Sequence, residues 1–196
     1  AEASWMAAQL FKEYPDIWPE TVRALLIHSA NWTDRMQRRF NTDDKKTSGR
    51  RNLLRFCGYG IPSLEKAMWC KNNYVSMVVE DALQPFQKDG GTDKMNEMNL
   101  HELPWPSETL ELLGDTKVRL RVTLSYYIEP GPGDIGWKDK YRYPSCGLRF
   151  DLINNNENID DFKKRVNVKM RGEDRKDSGE GSSGSGRWYL GSNNRD

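Results

Sequence analysis

The sequence predicts an α/β portion over residues 1–72, followed by an antiparallel β-sandwich of jelly-roll type over residues 73–196. Two observations carry the first part. In "AEASWMAAQLFKEYPDIWPETVRALLIHSA" apolar residues recur at helical spacing, break at Pro15 and resume after Pro19, and "CGYGIPSLEKAMW" places a glycine turn ahead of a further short helix. A third observation carries the sandwich: "TKVRLRVTLSYYI" alternates apolar and polar residues, and turn-rich joins separate it from other alternating runs.

Trp5, Ala8, Leu10 and Phe11 mark one apolar face of the first helix. Pro15 lacks the donor N–H a helix needs, so this helix should end near Tyr14. Pro19 suits the first turn of the second helix, where its missing N–H costs nothing, and Glu20 favours the positive end of the dipole. Val22, Leu25, Leu26 and Ser29 fall on the buried side. Ala24, Ile27, His28 and Ala30 make the remaining surface small or apolar, as expected of a helix held between layers.

From Asp34 to Arg55 the chain is strongly polar without a consistent period, which predicts a solvated excursion. Gly58 and Gly60 then form a tight turn before a helix starting at Pro62 or Ser63, and the boundary between the two parts falls near Lys71 to Tyr74. In the clearest strand, Val118, Leu120, Val122, Leu124, Tyr126 and Ile128 point to the core. Lys117, Arg119, Arg121, Thr123, Ser125 and Tyr127 point to solvent. Shorter strands are expected at "TLELL", "CGLRFDL" and "VNVKM", and the Gly/Ser-rich stretch 172–187 reads as a mobile loop.

Lys and Arg number 30 against 29 Asp and Glu, so the net charge of +1 offers no general attraction to nucleic acid or to an anionic membrane. No apolar run approaches the ~20 residues of a membrane span. Cys57, Cys70 and Cys146 are odd in number and widely spaced, which fits neither a disulfide framework nor a CxxC metal site and favours a reducing, cytoplasmic compartment over a secreted one.

Taken in order, "AEASWMAAQLFKEYP", "ETVRALLIHSA" and "GYGIPSLEKA" resemble the end of the catalytic domain of subtilisin-like serine proteases, the subtilases of peptidase family S8. That family carries a nucleophilic Ser at the start of a buried helix, a proline turn, a helix of the form "VRxxLxxTA" and a "YGxG" turn into a short Ala-containing helix. The resemblance implies that the Ser lies about four residues upstream of Ala1, with the His, the Asp and the oxyanion-hole Asn farther upstream. It therefore implies no catalytic residue within this chain; calcium sites are frequent in the family, but no cofactor-binding residue and no metal ligand is assigned here. Residues 73–196 resemble the β-rich extension that many larger subtilases carry.

The remaining candidates are weighed on their own chemistry. His28, inside the second helix, reads as a packed histidine, and His101 in "NLHELPWP" as a surface or edge residue. Ser4 lies in the first helix without a Gly-Thr lead and reads as a small residue allowing close packing. Acidic stretches around Asp43, from Asn154 to Asp161 and in "GEDRKD" could attract calcium but lack the DxDxDG order of a calcium loop, so no cofactor is expected. Arg35, Arg38, Arg39, Lys45, Lys46, Arg50, Arg51 and Arg55 form a basic set near Trp32 and Phe40, interrupted by Asp34, Asp43 and Asp44, and nucleic-acid binding is not expected of it. Trp105, Trp137, Tyr141, Tyr143 and Trp188 could line a sugar-binding face or simply seal the ends of a core.

The expected function is thus the C-terminal part of a serine endopeptidase. Its peptide or protein substrate would be bound by the upstream part, and the chain alone would be inactive. The alternatives are a non-enzymatic β-sandwich binding module and a degenerate subtilase scaffold.

Overall fold

The computed structural model describes residues 1–40, 47–72, 76–103, 106–127, 151–153 and 157–171. The chain divides into two compact units, Ala1–Tyr127 and Ile128–Asp196.

In the first unit, α1 (Glu2–Glu13) and α2 (Pro19–Ser29) stand on either side of the proline turn. Two shorter helices, α3 (Asp34–Arg39) and α4 (Thr47–Cys57), lead to α5 (Leu64–Asn72). The main core forms where α1, α2 and α5 meet: Leu10, Tyr14, Ile17, Val22, Leu25 and Ala67 are buried together, flanked by Ala7, Leu26, Leu64, Met68, Cys70 and Val78. Tyr14 is the joint of this packing. Its ring is buried and its hydroxyl donates to the Met68 carbonyl at 2.5 Å, which ties the end of α1 to α5.

The expected helix limits at Tyr14, Pro19 and Ser63 agree with this arrangement. The expected apolar face of α1 is only partly correct, because Met6 and Leu10 are its buried residues, whereas Trp5 is 54% exposed. The described parts of the polar excursion form two helices. Thr33 caps α3 by accepting from the Met36 N–H, and α4 buries Leu53 completely.

Past α5 the described chain runs without regular structure from 76 to 85 and then forms a hairpin, β1 (Phe86–Asp89) paired antiparallel with β2 (Thr92–Met95). Gly90 and Gly91 take φ of 59° and 86°, the two positive values that a two-residue hairpin turn requires. This two-stranded pair is the sheet found among the described residues. After α6 (Ser107–Leu113), residues 116–127 run without regular structure. In the second unit the described helix is α7 (Ile159–Arg171).

The predicted α/β portion followed by a jelly-roll-like β-sandwich is therefore overturned: the described residues are mostly helical and contain no sandwich. "TLELL" lies in α6, since a five-residue apolar run fits a helix as well as a strand, and Gly114 with φ of 51° ends it. "VNVKM" lies in α7, where the wider spacing Phe162, Val166, Met170 is helical. The Asn158 side chain accepts from the Asp161 N–H at 2.8 Å to start that helix, and Asp160 and Asp161 favour its dipole. Arg165 then holds the helix to the preceding chain through Glu157, Asp151 and the Leu152 carbonyl.

The stretch Lys117–Tyr127 keeps the alternation read from the sequence but pairs with no strand among the described residues. Cys146 to Phe150 of "CGLRFDL", the join 129–136 and the Gly/Ser-rich stretch 172–187 lie outside the described residues.

Candidate functional site

A long-range polar network of the first unit lies along α2. A helix leaves its last carbonyls without partners in its own backbone. Here Arg121, nearly a hundred positions later, supplies donors: its guanidinium bonds the His28 carbonyl, the Ala30 carbonyl at 2.9 Å and the Asn31 side-chain oxygen at 3.2 Å. Two residues on, the Thr123 hydroxyl lies 2.9 Å from His28 Nδ1. Two further on, the Ser125 hydroxyl accepts from Arg23 Nε at 2.8 Å, and Arg23 also donates to the Tyr126 carbonyl.

Arg121, Thr123 and Ser125 all belong to the face of the predicted strand that was expected to be wet. The apolar row is the outer one: Val118, Leu120, Val122 and Leu124 remain 39–60% exposed. Sequence reasoning missed these docking residues because it assigned burial by polarity. The available signal was the kind of polar residue, since an arginine and two hydroxyls at alternate positions can satisfy a helix end and its side chains.

A second junction closes the same end of α2. Asn31 and Ile61 exchange backbone hydrogen bonds of 3.0 and 2.9 Å, so the chain after α2 is stitched to the glycine turn before α5. The buried Ser29 hydroxyl donates to the Leu26 carbonyl and accepts from the Ser63 N–H at 3.1 Å. Trp32 Nε1 donates to the Gly58 carbonyl at 2.9 Å. Gly60, with φ of 98°, passes so close to Asn31 that no side chain fits.

These contacts decide how the candidate catalytic groups should be read. A general base for peptide hydrolysis needs a reachable nucleophile and an acceptor, usually a carboxylate, to orient its ring and stabilise its charge. His28 does face a hydroxyl, that of Thr123, but its charged neighbour is Arg121. Burial, and then the arginine charge, push the His28 pKa below the ordinary histidine value. The arrangement disfavours the imidazolium and acts as a packing joint. Ser4 and His101 are both exposed.

Burial raises the Cys70 thiol pKa, with Arg121 acting in the opposite direction, so its thiolate is disfavoured. Burial also raises the Tyr14 pKa, reinforced by the charges of Glu13 and Cys70. Among the described residues no group of three His, Cys, Asp or Glu side chains is placed to hold a metal ion. Asp43, Asn154 to Asn156 and "GEDRKD" lie outside the described residues, as do Lys45, Lys46, Trp105, Trp137, Tyr141, Tyr143 and Trp188.

The described part of the first unit is thus a three-helix core closed by a glycine turn, with residues 121–126 hydrogen-bonded along its second helix. It presents no assembled hydrolytic constellation among the described residues. Residues 1–60 match the model of the subtilase family, Peptidase_S8, a partial match that covers under a third of the chain. No curated protein and no solved structure shows a match to the chain.

Proposed function

We propose that residues 1–72 are the closing part of the catalytic domain of a serine endopeptidase, and that they support a nucleophile carried at the N-terminal edge of α1. The observation that carries this reading is the subtilase match over residues 1–60, which spans α1, the proline turn, α2 and the glycine turn. The physical contribution of the segment is rigidity. Leu10, Leu25 and Ala67 pack α1 and α2 against α5, and the Asn31–Ile61 bridge fixes where α2 ends. A nucleophile displaced by only ~1 Å can lose ~100-fold in rate, so a catalytic helix needs such backing. Peptide bonds would be cleaved through an acyl-enzyme formed on a serine outside this chain.

A fluorophosphonate probe, which reacts with an activated serine, tests the reading. The chain Ala1–Asp196 alone should remain unlabelled, and the product of the complete reading frame should be labelled on a serine upstream of α1. Labelling of Ser4 or another serine within this chain would overturn the assignment of roles. An upstream sequence without a Gly-Thr-Ser-x-Ala motif would leave a scaffold of subtilase descent.

A further inference from the structure

The charge of the chain is concentrated rather than spread. Residues 34–57 hold six arginines, two lysines and three aspartates, a net +5, in a chain whose total is +1, so the remainder carries −4. Its described residues, 34–40 and 47–57, carry six arginines and one aspartate, so the excess lies on α3 and α4. On α3, Arg35, Arg38 and Arg39 are exposed at i, i+3 and i+4, the spacing of one helix face. On α4, Arg51 and Arg55 are exposed at i and i+4. The rings of Phe40 and Phe56 stack at 5.6 Å between centroids and 14° between planes, which joins the C-terminal ends of the two helices. Arg39 and Arg55, each next in sequence to a stacked ring, are thereby brought to the same end of the pair. Phe56 is nevertheless 73% exposed, an apolar surface on a helix that also exposes Arg51 and Arg55. Among the described residues no carboxylate forms an ion pair with Arg35, Arg39, Arg51 or Arg55.

We infer that the α3–α4 lobe is a docking surface for an acidic polypeptide segment of a partner protein, one in which Asp or Glu residues alternate with large apolar ones. Guanidinium forks match carboxylates in geometry as well as charge, and they lose less than ammonium groups on being desolvated. The exposed Phe56 ring offers the apolar contact that gives such a peptide a fixed register, because salt-screened surface charges alone bind weakly. A single-stranded nucleic acid is the less suited polyanion. It needs a continuous cationic track, whereas here the rest of the chain is net negative. This inference stands whether or not the parent protein is an active peptidase.

Fluorescence anisotropy on the full chain tests it, using a labelled peptide of about twelve residues that alternates Glu with Leu and Phe, the same peptide with Lys for Glu, and an oligo-dT of similar length. The Glu peptide should bind at low salt and weaken steeply as salt is raised, and the Lys peptide should not bind. Combining Arg38→Glu, Arg39→Glu and Arg55→Glu should weaken the Glu peptide by about tenfold or more. Phe56→Ser should weaken it without changing the salt dependence. Equal binding of the Glu and Lys peptides, tighter binding of the oligo-dT, or no binding of the Glu peptide would overturn the inference. The peptide comparison and salt series use the unaltered protein, so they decide the matter even if the charge-reversed variant fails to fold.

Discussion

Gly60 and Asn31 approach so closely that a methyl group at position 60 would lie 2.3 Å from the Asn31 carbonyl oxygen. The neighbouring backbone cannot withdraw without breaking the Asn31–Ile61 bridge, and φ of 98° is itself unfavourable for a residue with a side chain. Gly60→Ala should therefore cost roughly 2–4 kcal/mol in urea unfolding. Gly58→Ala meets no nearby atom and should cost less, through its φ of 54° alone. Equal losses at the two positions would show that the contact with Asn31 is immaterial.

Leu10 is wholly buried and Trp5 is 54% exposed on the same helix. Leu10→Ala should lower stability by about 2–5 kcal/mol, as expected for a buried leucine whose cavity cannot collapse. Trp5→Ala should lower it by clearly less, despite removing the larger side chain. Urea midpoints of the two variants measure the contrast.

His28 links stability to pH in a stated direction. Burial, followed by the Arg121 charge, depresses its folded pKa below the unfolded value near 6.5. The unfolded chain therefore binds the proton more readily, so the contribution is intact above pH ~6.5 and is lost as the pH falls through the lower folded value. Unfolding at pH 7.5, 6.5 and 5.5 should show His28→Asn losing less stability on acidification than the unaltered chain. Parallel curves would refute the shift.

Arg121→Ala removes the donors at the end of α2 and the cation beside His28 together. Because the guanidinium is partly solvated, the loss should be modest, about 1 kcal/mol. The more telling result is a proton NMR titration in which the His28 pKa moves upward towards its ordinary value. An unmoved His28 would mean that burial alone sets its pKa.

Cys70 provides a chemical readout of the same core. Its thiol pKa is raised mainly by burial, so alkylation at neutral pH should be slow in the folded chain and accelerate when urea opens the core. Labelling as fast as that of the unfolded chain would contradict the packing of Cys70 against the α1, α2 and α5 cluster.

Much of the first unit was legible because its signals are local. Pro15 removes a donor, Pro19 suits a first helical turn, and Gly58 and Gly60 permit the positive φ of a tight turn, each whatever the rest of the chain does. The hairpin carried a comparable signal in Asp89-Gly90-Gly91-Thr92 that was not read. The failures came where a short pattern fits two periods. In 109–113 and 166–170 five residues do not separate a strand from a helix, and the deciding features, Gly114 after one and the Asn158 cap before the other, stand outside the runs.

By itself, then, the sequence determined the helix breaks around Pro15, the start of α2 at Pro19 and the glycine turn at Gly60, because each depends on backbone chemistry within a few residues. Tertiary structure alone decided which face of Arg121 to Ser125 docks, what environment His28 has, and that α3 and α4 form one basic lobe. Alternation says that two faces differ but not which one finds a partner. A helix end short of donors can draw the polar face inward and leave the apolar row outside.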